Sequence, residues 1–216
     1  QVTAVDLSRS SLAYAQRKTS ELGITNIEYL QADILYLGEL GRKFDIVESS
    51  GVLHHMADPM AGWRVLVDLL KTGGLMKIGL YSELARRHIV MTREEIAAEG
   101  IGYSGPEIRQ FRHYLAESHD QHHLLLTRSP DFFSLSMLRD LIFHVQEHRF
   151  TASKIQRCLD ELTLKFCGLE SQDIVSKFRD FFGKNADTCD LALWHQFEES
   201  HPRTFAGMYQ FWCQKL

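Results

Sequence analysis

VTAVDLS, residues 2–8, is a short apolar run that ends on an acid and a hydroxyl. Val2 to Val5 are β-branched or small without polar alternation, as expected of a strand covered on both faces. Ser8 stands where a helix N-cap belongs. Leu12, Ala15, Thr19 and Leu22 then recur at helical spacing, and Gly23 supplies a stop. The stretch reads as a buried strand over 2–6 running into an amphipathic helix over 8–22.

Moving outward, NIEYLQAD (26–33) and FDIVESS (44–50) read as further strands. Asp58-Pro59 opens a helix to about Leu70, with Pro59 in its first turn. KTGG (71–74) reads as a turn and LMKIGLYS (75–82) as a strand. Strand and helix alternating at this pace mean right-handed βαβ units and a parallel sheet. In such open sheets ligands gather at the carboxyl ends of the strands. The positions to watch are therefore Asp6, Asp33, residues 48–55, and Tyr81-Ser82. Beyond Ser82 the pattern turns helical: 83–99, 106–117, 134–148 and 152–161. This is too long for one crossover and reads as an inserted cap. LTLKFCGLE (162–170) returns to strand, 171–184 and 191–200 to helix, and FAGMYQFWCQ (205–214) to a last strand whose Tyr209, Phe211 and Trp212 are core candidates. The expected organisation is a core over 1–82, a helical insertion over 83–161, and completion of the core over 162–216.

The chain has 216 residues, a formal net charge of −4, 44% hydrophobic and 24% charged residues. These are values of an ordinary globular domain with one sizeable core. No broad basic field indicates nucleic acid. No apolar run reaches the roughly 18 residues a bilayer-spanning helix needs, and Gln1 to Ser8 has no signal-peptide pattern. The four cysteines, Cys158, Cys167, Cys189 and Cys213, form no CxxC pair. They read as reduced thiols of a cytoplasmic protein. A chain opening on Gln1 is expected to be a fragment or a processed product.

Together VTAVDLS, IEYLQADILYL, FDIVESSGVLHHMADP and LLKTGGLMKIGLYS resemble, in order and spacing, strands two to five of class I S-adenosylmethionine-dependent methyltransferases. LKFCGLE and MYQFWCQ look like that fold's antiparallel strands six and seven. More narrowly, GLYSELAR and MYQFWC are similar to bacterial methyltransferase domains associated with tetratricopeptide repeats. The resemblance implies an α/β, Rossmann-like three-layer sandwich lacking its first strand, with a helical insertion between strands five and six. It also implies S-adenosyl-L-methionine as cofactor, an unidentified small-molecule or protein acceptor, and a tetratricopeptide-repeat region as possible neighbour in the full-length protein. The missing strand would carry the glycine-rich turn, so these 216 residues alone are expected to bind the cofactor poorly.

The chemistry of each position agrees. A carboxylate ending the second strand accepts hydrogen bonds from both ribose hydroxyls, and Asp6 is that acid; alternatively it serves the dipole of the helix beginning at Ser8. Ala32-Asp33-Ile34 offers a carboxylate for the adenine amine, the Ile34 amide for a ring nitrogen, and apolar faces from Ile34 and Leu7. The bland role for Asp33 is capping its own loop. Glu48 and Ser49 are placed near the methionine part of the cofactor. His54, His55 and Tyr81 are candidates for acting on the acceptor, either histidine as general base, or for bracing the loop. Methyl transfer asks mainly for alignment, so no acid–base pair is required.

His119, His122 and His123 share a helical face beside Asp120, but no HExxH pattern accompanies them. They read as a solvated or cap-packing cluster, not a metal site. His144 and His148, at i and i+4, read likewise. Arg86, Arg87 and Arg93 read as a solvated face paired with Glu94 and Glu95, or as an anchor for an acidic acceptor. The rival readings are a degenerate methyltransferase domain that only binds a partner, and a nicotinamide-dependent oxidoreductase, which shares the ribose acid but rarely has the ADI segment.

Overall fold

The computed structural model describes residues 1–143 and 146–216. Its elements, in chain order, are β1 (Val2–Asp6), α1 (Arg9–Glu21), β2 (Ile27–Gln31), β3 (Phe44–Ser50), α2 (Pro59–Leu69), β4 (Leu70–Leu80), α3 (Arg87–Glu99), α4 (Gly105–Glu117), α5 (Gln121–Thr127), α6 (Leu135–Phe143), α7 (Ala152–Glu161), β5 (Leu164–Leu169), α8 (Gln172–Phe182), α9 (Leu191–Ser200) and β6 (Tyr209–Lys215). Three 3₁₀ turns, Ile34–Leu40, Leu53–His55 and Pro130–Phe133, fill the connections.

The strands form two sheets. β1 and β2 pair in parallel. The second sheet has the order β3-β4-β6-β5, with β3–β4 parallel and β6 antiparallel to both its neighbours. Thus β1 and β3 each keep one edge unpaired among the described residues, and the expected single sheet is interrupted between them. Capping follows the sequence signals. The Ser8 hydroxyl accepts from the Ser11 amide at 3.2 Å, and Asp58 accepts from the Met60 amide at 2.9 Å with Pro59 in the first turn.

The expected KTGG turn lies inside β4, which already starts at Leu70. Phe44 pairs with Leu70, yet Ile46 pairs with Leu75. Three extra residues loop out there, with Gly73 at φ +75°. A bulge of this kind keeps the ladder going where a turn would have ended it.

One core lies under the four-stranded sheet. Trp63, Met76, Ile78, Leu80, Phe178, Trp194, Phe205 and Phe211 are all essentially inaccessible in it. The rings of Phe178 and Trp194 stack at 3.9 Å. On β6, Tyr209, Phe211 and Cys213 face this core, while Trp212 lies on the opposite, half-covered face. A second, smaller core holds the cap: Ile89, Ile108, Phe111, Leu115, Leu126 and Leu138 from α3 to α6. Helix α7 does not belong to it. Ala152, Ile155 and Leu159 pack into the sheet core, so the cap ends earlier than the expected residue 161. The helix expected over 134–148 is also shorter. Residues 135–143 are helical and 146–149 are not, while 144 and 145, including His144, lie outside the described residues. His148 is therefore not on that helix.

Cap and sheet are tied at Phe150. The Phe150 amide donates to the Tyr81 carbonyl at 2.9 Å, and the Glu83 amide donates to the Phe150 carbonyl at 2.8 Å. The fully buried Ser82 hydroxyl donates to Glu198 of α9 at 2.5 Å, and the Tyr209 hydroxyl donates to the same carboxylate. Burial pushes the Glu198 pKa up, against those two donors.

The β1–α1–β2 unit is the exception to good packing. No residue from 1 to 36 is fully buried. Val2, Leu7, Tyr14 and Leu22 are half exposed or more. The amphipathic helix expected from Leu12 and Ala15 forms as α1, with none of its residues buried.

Candidate functional site

The carboxyl ends of β1, β2 and β3 open into a cleft of about 760 Å³. All seven residues expected around a cofactor line it: Asp6, Leu7, Ala32, Asp33, Ile34, Glu48 and Ser49. The cleft also takes in residues that carried no sequence signal of their own, among them Thr3, Val5, Phe44, Val47 and Met56. Successive residues of a strand point to opposite faces. Yet residues 46 to 50 of β3 all line the cleft, which requires it to meet the strand along its unpaired edge. It continues to Val5 and Thr3 on β1, so the cleft runs along the interruption between the sheets.

Within it the two acids serve local caps. Asp6 accepts the Ser8 amide through Oδ1 at 2.7 Å, and Asp33 accepts the Leu35 amide through Oδ1 at 2.9 Å. Each uses one oxygen, which leaves the second carboxylate oxygen for a ligand. Capping and ligand binding, posed as alternatives from sequence, are thus compatible. Glu48 sits 3.3 Å from Lys77, whose ammonium also pairs with Glu170 at 2.9 Å; that second carboxylate is the main reason the lysine pKa is raised. The buried hydroxyls of Ser49 and Ser50 have no hydrogen-bond partner among the described residues. Two orphaned donors beside an apolar wall suit a ligand with its own acceptors.

The 3₁₀ turn after β3 divides this cleft from a second cavity. Val52, Met56 and Ala57 face the cleft. His55 faces the second cavity, about 340 Å³, with Tyr81, Arg86, Asp131, Asp140 and Glu147. One short turn is therefore the wall between two sites. His55 Nδ1 lies 3.2 Å from the Gln146 carbonyl.

His54 takes a different place from its neighbour. It is fully buried, and its ring stacks on Tyr81 with centroids 3.8 Å apart. Burial, then the adjacent His55, lowers its pKa to about 3. It is neutral at physiological pH, and its ring is enclosed against Tyr81. Burial also raises the Tyr81 pKa, keeping the phenol protonated. On that ring's other neighbour, the Arg86 guanidinium stands 3.7 Å from the centroid.

Arg86 and Arg93 are not on a solvated face, contrary to the pairing with Glu94 and Glu95 expected from sequence. Glu147, almost completely enclosed, accepts from Arg86 Nε at 2.9 Å and Nη2 at 2.8 Å, and from Arg93 Nη2 at 3.0 Å. Burial raises the Glu147 pKa, but the two guanidiniums outweigh it and the net shift is downward. Glu147 lies more than fifty residues from either arginine, beyond the reach of any local pattern. Arg87 is exposed, as is Glu94.

Comparison with known proteins places this architecture. A family model described as a methyltransferase domain matches residues 1–74. PKMT2 from Rickettsia typhi, solved in complex with AdoHcy, superposes on 99% of the chain with a TM-score of 0.66 at 16% identity. The fold is that of the Rossmann-like class I methyltransferases. An uncharacterized protein of Synechococcus sp. is 28% identical over 185 residues, 80% of this chain. A ubiquinone biosynthesis O-methyltransferase of Ruegeria pomeroyi is 35% identical over 75 residues, 35% of this chain and 30% of its own. The chain spans 43% of the length of the Synechococcus protein and 43% of the Rickettsia structure. Among the described residues no helix is long and apolar enough to cross a membrane.

Proposed function

We propose that the chain is the catalytic part of an S-adenosylmethionine-dependent methyltransferase whose acceptor enters from the cap side. The observation that carries the reading is the cleft at the strand ends, with Asp6, Asp33 and Glu48 on one continuous wall and two orphaned serine hydroxyls beside them. Asp6 would take the ribose hydroxyls, Asp33 and the Ile34 amide the adenine edge, and Leu7 and Ile34 its faces. Glu48, Ser49 and Ser50 would hold the amino-acid end.

When bound, S-adenosylmethionine supplies a methyl group on a sulfonium, transferable to a nucleophilic atom without metal or redox help. The residues of the chain then have positioning to do. The Leu53–His55 turn borders both the cofactor cleft and the acceptor cavity, so acceptor and methyl group would meet in line at its edge. His54 and Arg86 clamp Tyr81 between them, fixing the floor of the acceptor cavity. His55 and the Tyr81 hydroxyl are among the groups that would touch an acceptor there, His55 as the proton acceptor where the nucleophile must lose one.

The site as described is open along the unpaired edges of β1 and β3. We propose that a parallel strand from outside residues 1–216 fills it. Unpaired backbone groups and half-exposed Val2, Leu7, Ile46 and Val52 support such a cover. The test is calorimetry with S-adenosylhomocysteine on residues 1–216 and on the full-length protein. Binding is expected only, or far more tightly, for the latter. Equal affinity would remove the strand proposal, and heat from a nicotinamide nucleotide alone would end the methyltransferase reading. A labelled-methyl assay on cell extract separates enzyme from mere binding module.

A further inference from the structure

Within the cap, three metal-ligating side chains converge from two helices. Glu95 comes from α3, and His122 and His123 come from the start of α5. His123 Nε2 lies 2.6 Å and His122 Nε2 3.4 Å from the same carboxylate oxygen, Glu95 Oε2. One donor atom from each of the three lies within 4.8 Å of the others. The imidazole rings are 4.0 Å apart. His119, which shares the sequence cluster, is exposed and takes no part.

We propose that Glu95, His122 and His123 bind one divalent transition-metal ion, zinc being the best fit. The donor set, two imidazoles and one carboxylate, suits zinc rather than magnesium or calcium, which favour all-oxygen shells. In a tetrahedral zinc site with bonds near 2.0–2.1 Å, ligand atoms stand roughly 3.3–3.4 Å apart. The His122–Glu95 separation already has that value, and the His123–Glu95 pair must open by less than an ångström. The orientation of the enclosed ring is fixed from behind: His123 is completely buried and its Nδ1 meets the Ser118 hydroxyl at 2.7 Å. A hydrogen bond to the far nitrogen is the usual support of a liganding histidine. With the metal on Nε2, the neutral imidazole of His123 carries its proton on Nδ1, where it donates to the Ser118 hydroxyl oxygen; water completes the coordination. None of the three residues lines either cavity. The ion would therefore clip α3 to α5 and stiffen the cap rather than take part in group transfer.

The test uses untagged, chelator-treated full-length protein titrated with Zn²⁺, and with Co²⁺ for its absorption spectrum. One zinc per chain, a raised Tm, and the visible bands of tetrahedral Co²⁺ are expected. Glu95→Gln, which keeps the side-chain shape, and His122→Ala, which leaves the His123–Ser118 pair intact, are each expected to weaken zinc binding at least tenfold. Methyl transfer and S-adenosylhomocysteine binding serve as separate readouts and should survive zinc removal. No saturable zinc binding by the wild type, or equal affinity in Glu95→Gln, overturns the proposal. Should His122→Ala fail to fold by circular dichroism, the Glu95→Gln titration and the Co²⁺ spectrum still decide.

Discussion

Glu147 offers the sharpest test of how the cap is held over the site. Its carboxylate is enclosed, accepts two hydrogen bonds from Arg86 and one from Arg93, and has Arg149 at 3.8 Å. The side chains of Arg86 and Arg93 are only 6% and 16% exposed. Glu147→Gln keeps the volume but leaves two guanidiniums without a counter-charge where water hardly reaches. Breaking one partner out of such a buried pair costs roughly 3–5 kcal/mol. For a chain of this size each kcal/mol moves Tm by about 2–4 °C, so a fall of about 6–20 °C is expected. Adding Arg86→Gln to Glu147→Gln should recover part of the loss, because one orphaned charge is then gone. Acid reports on the same group. The Glu147 pKa is below that of the unfolded chain, so its contribution is complete above the ordinary glutamate range, about 4.3, and is lost as pH falls through the lowered value. Thermal unfolding of the two single variants and the double, followed against pH, makes the measurement. A drop under about 1 kcal/mol for Glu147→Gln, with no coupling in the cycle, would mean that solvent screens the cluster and that the burial argument fails.

Three further outcomes follow from other parts of the molecule. Glu198 has the opposite sign: its pKa is raised, so its contribution is present below the ordinary glutamate value and declines as pH rises through the folded one; Tm against pH should flatten on that limb in Glu198→Gln. Gly79→Ala would place a Cβ 2.9 Å from Ser50 Cα and 3.0 Å from its Cβ, and should destabilise by about 1–3 kcal/mol in denaturant titration by forcing β3 and β4 apart. Asp6→Asn in the full-length protein removes a charged acceptor worth about 1.5–3 kcal/mol, and calorimetry should show S-adenosylhomocysteine binding weakened by about tenfold to a hundredfold while Tm without ligand changes little.

What the sequence made legible, and what it hid, divides by range. The strand ends and their acids were readable because period, cap and turn chemistry are local: VTAVDLS alone yields β1, its acid and the start of α1. Most helices of the cap were readable for the same reason; α5 was not among the expected helices, and the end of α6 was misplaced. What escaped was pairing at long separation. Glu147 claims Arg86 and Arg93, so a face that looks solvated from its neighbours Glu94 and Glu95 is buried. Glu95, released from that pairing, meets His122 and His123 instead. Helix α7 reads as part of the cap by position but packs its Ile155 and Leu159 under the sheet. KTGG has turn composition, yet the ladder to β3 carries the chain through it as a bulge.

The same distinction explains why His54 and His55, adjacent and alike in sequence, have different parts to play. A 3₁₀ turn sends successive side chains in different directions. Leu53 and His54 go into the protein, and His55 goes to the cavity wall. The His54 carbonyl accepts the His148 amide at 2.7 Å, and its ring lies against Tyr81. Tyr81, through its carbonyl, holds Phe150. The wall between cleft and cavity is therefore fastened to the segment that returns from the cap. Residues 146–150 thus link the cap to Tyr81 and to the turn that borders the cavity. Sequence proximity made both histidines candidates for one role; in the fold one lines the cavity and the other is packed into the wall.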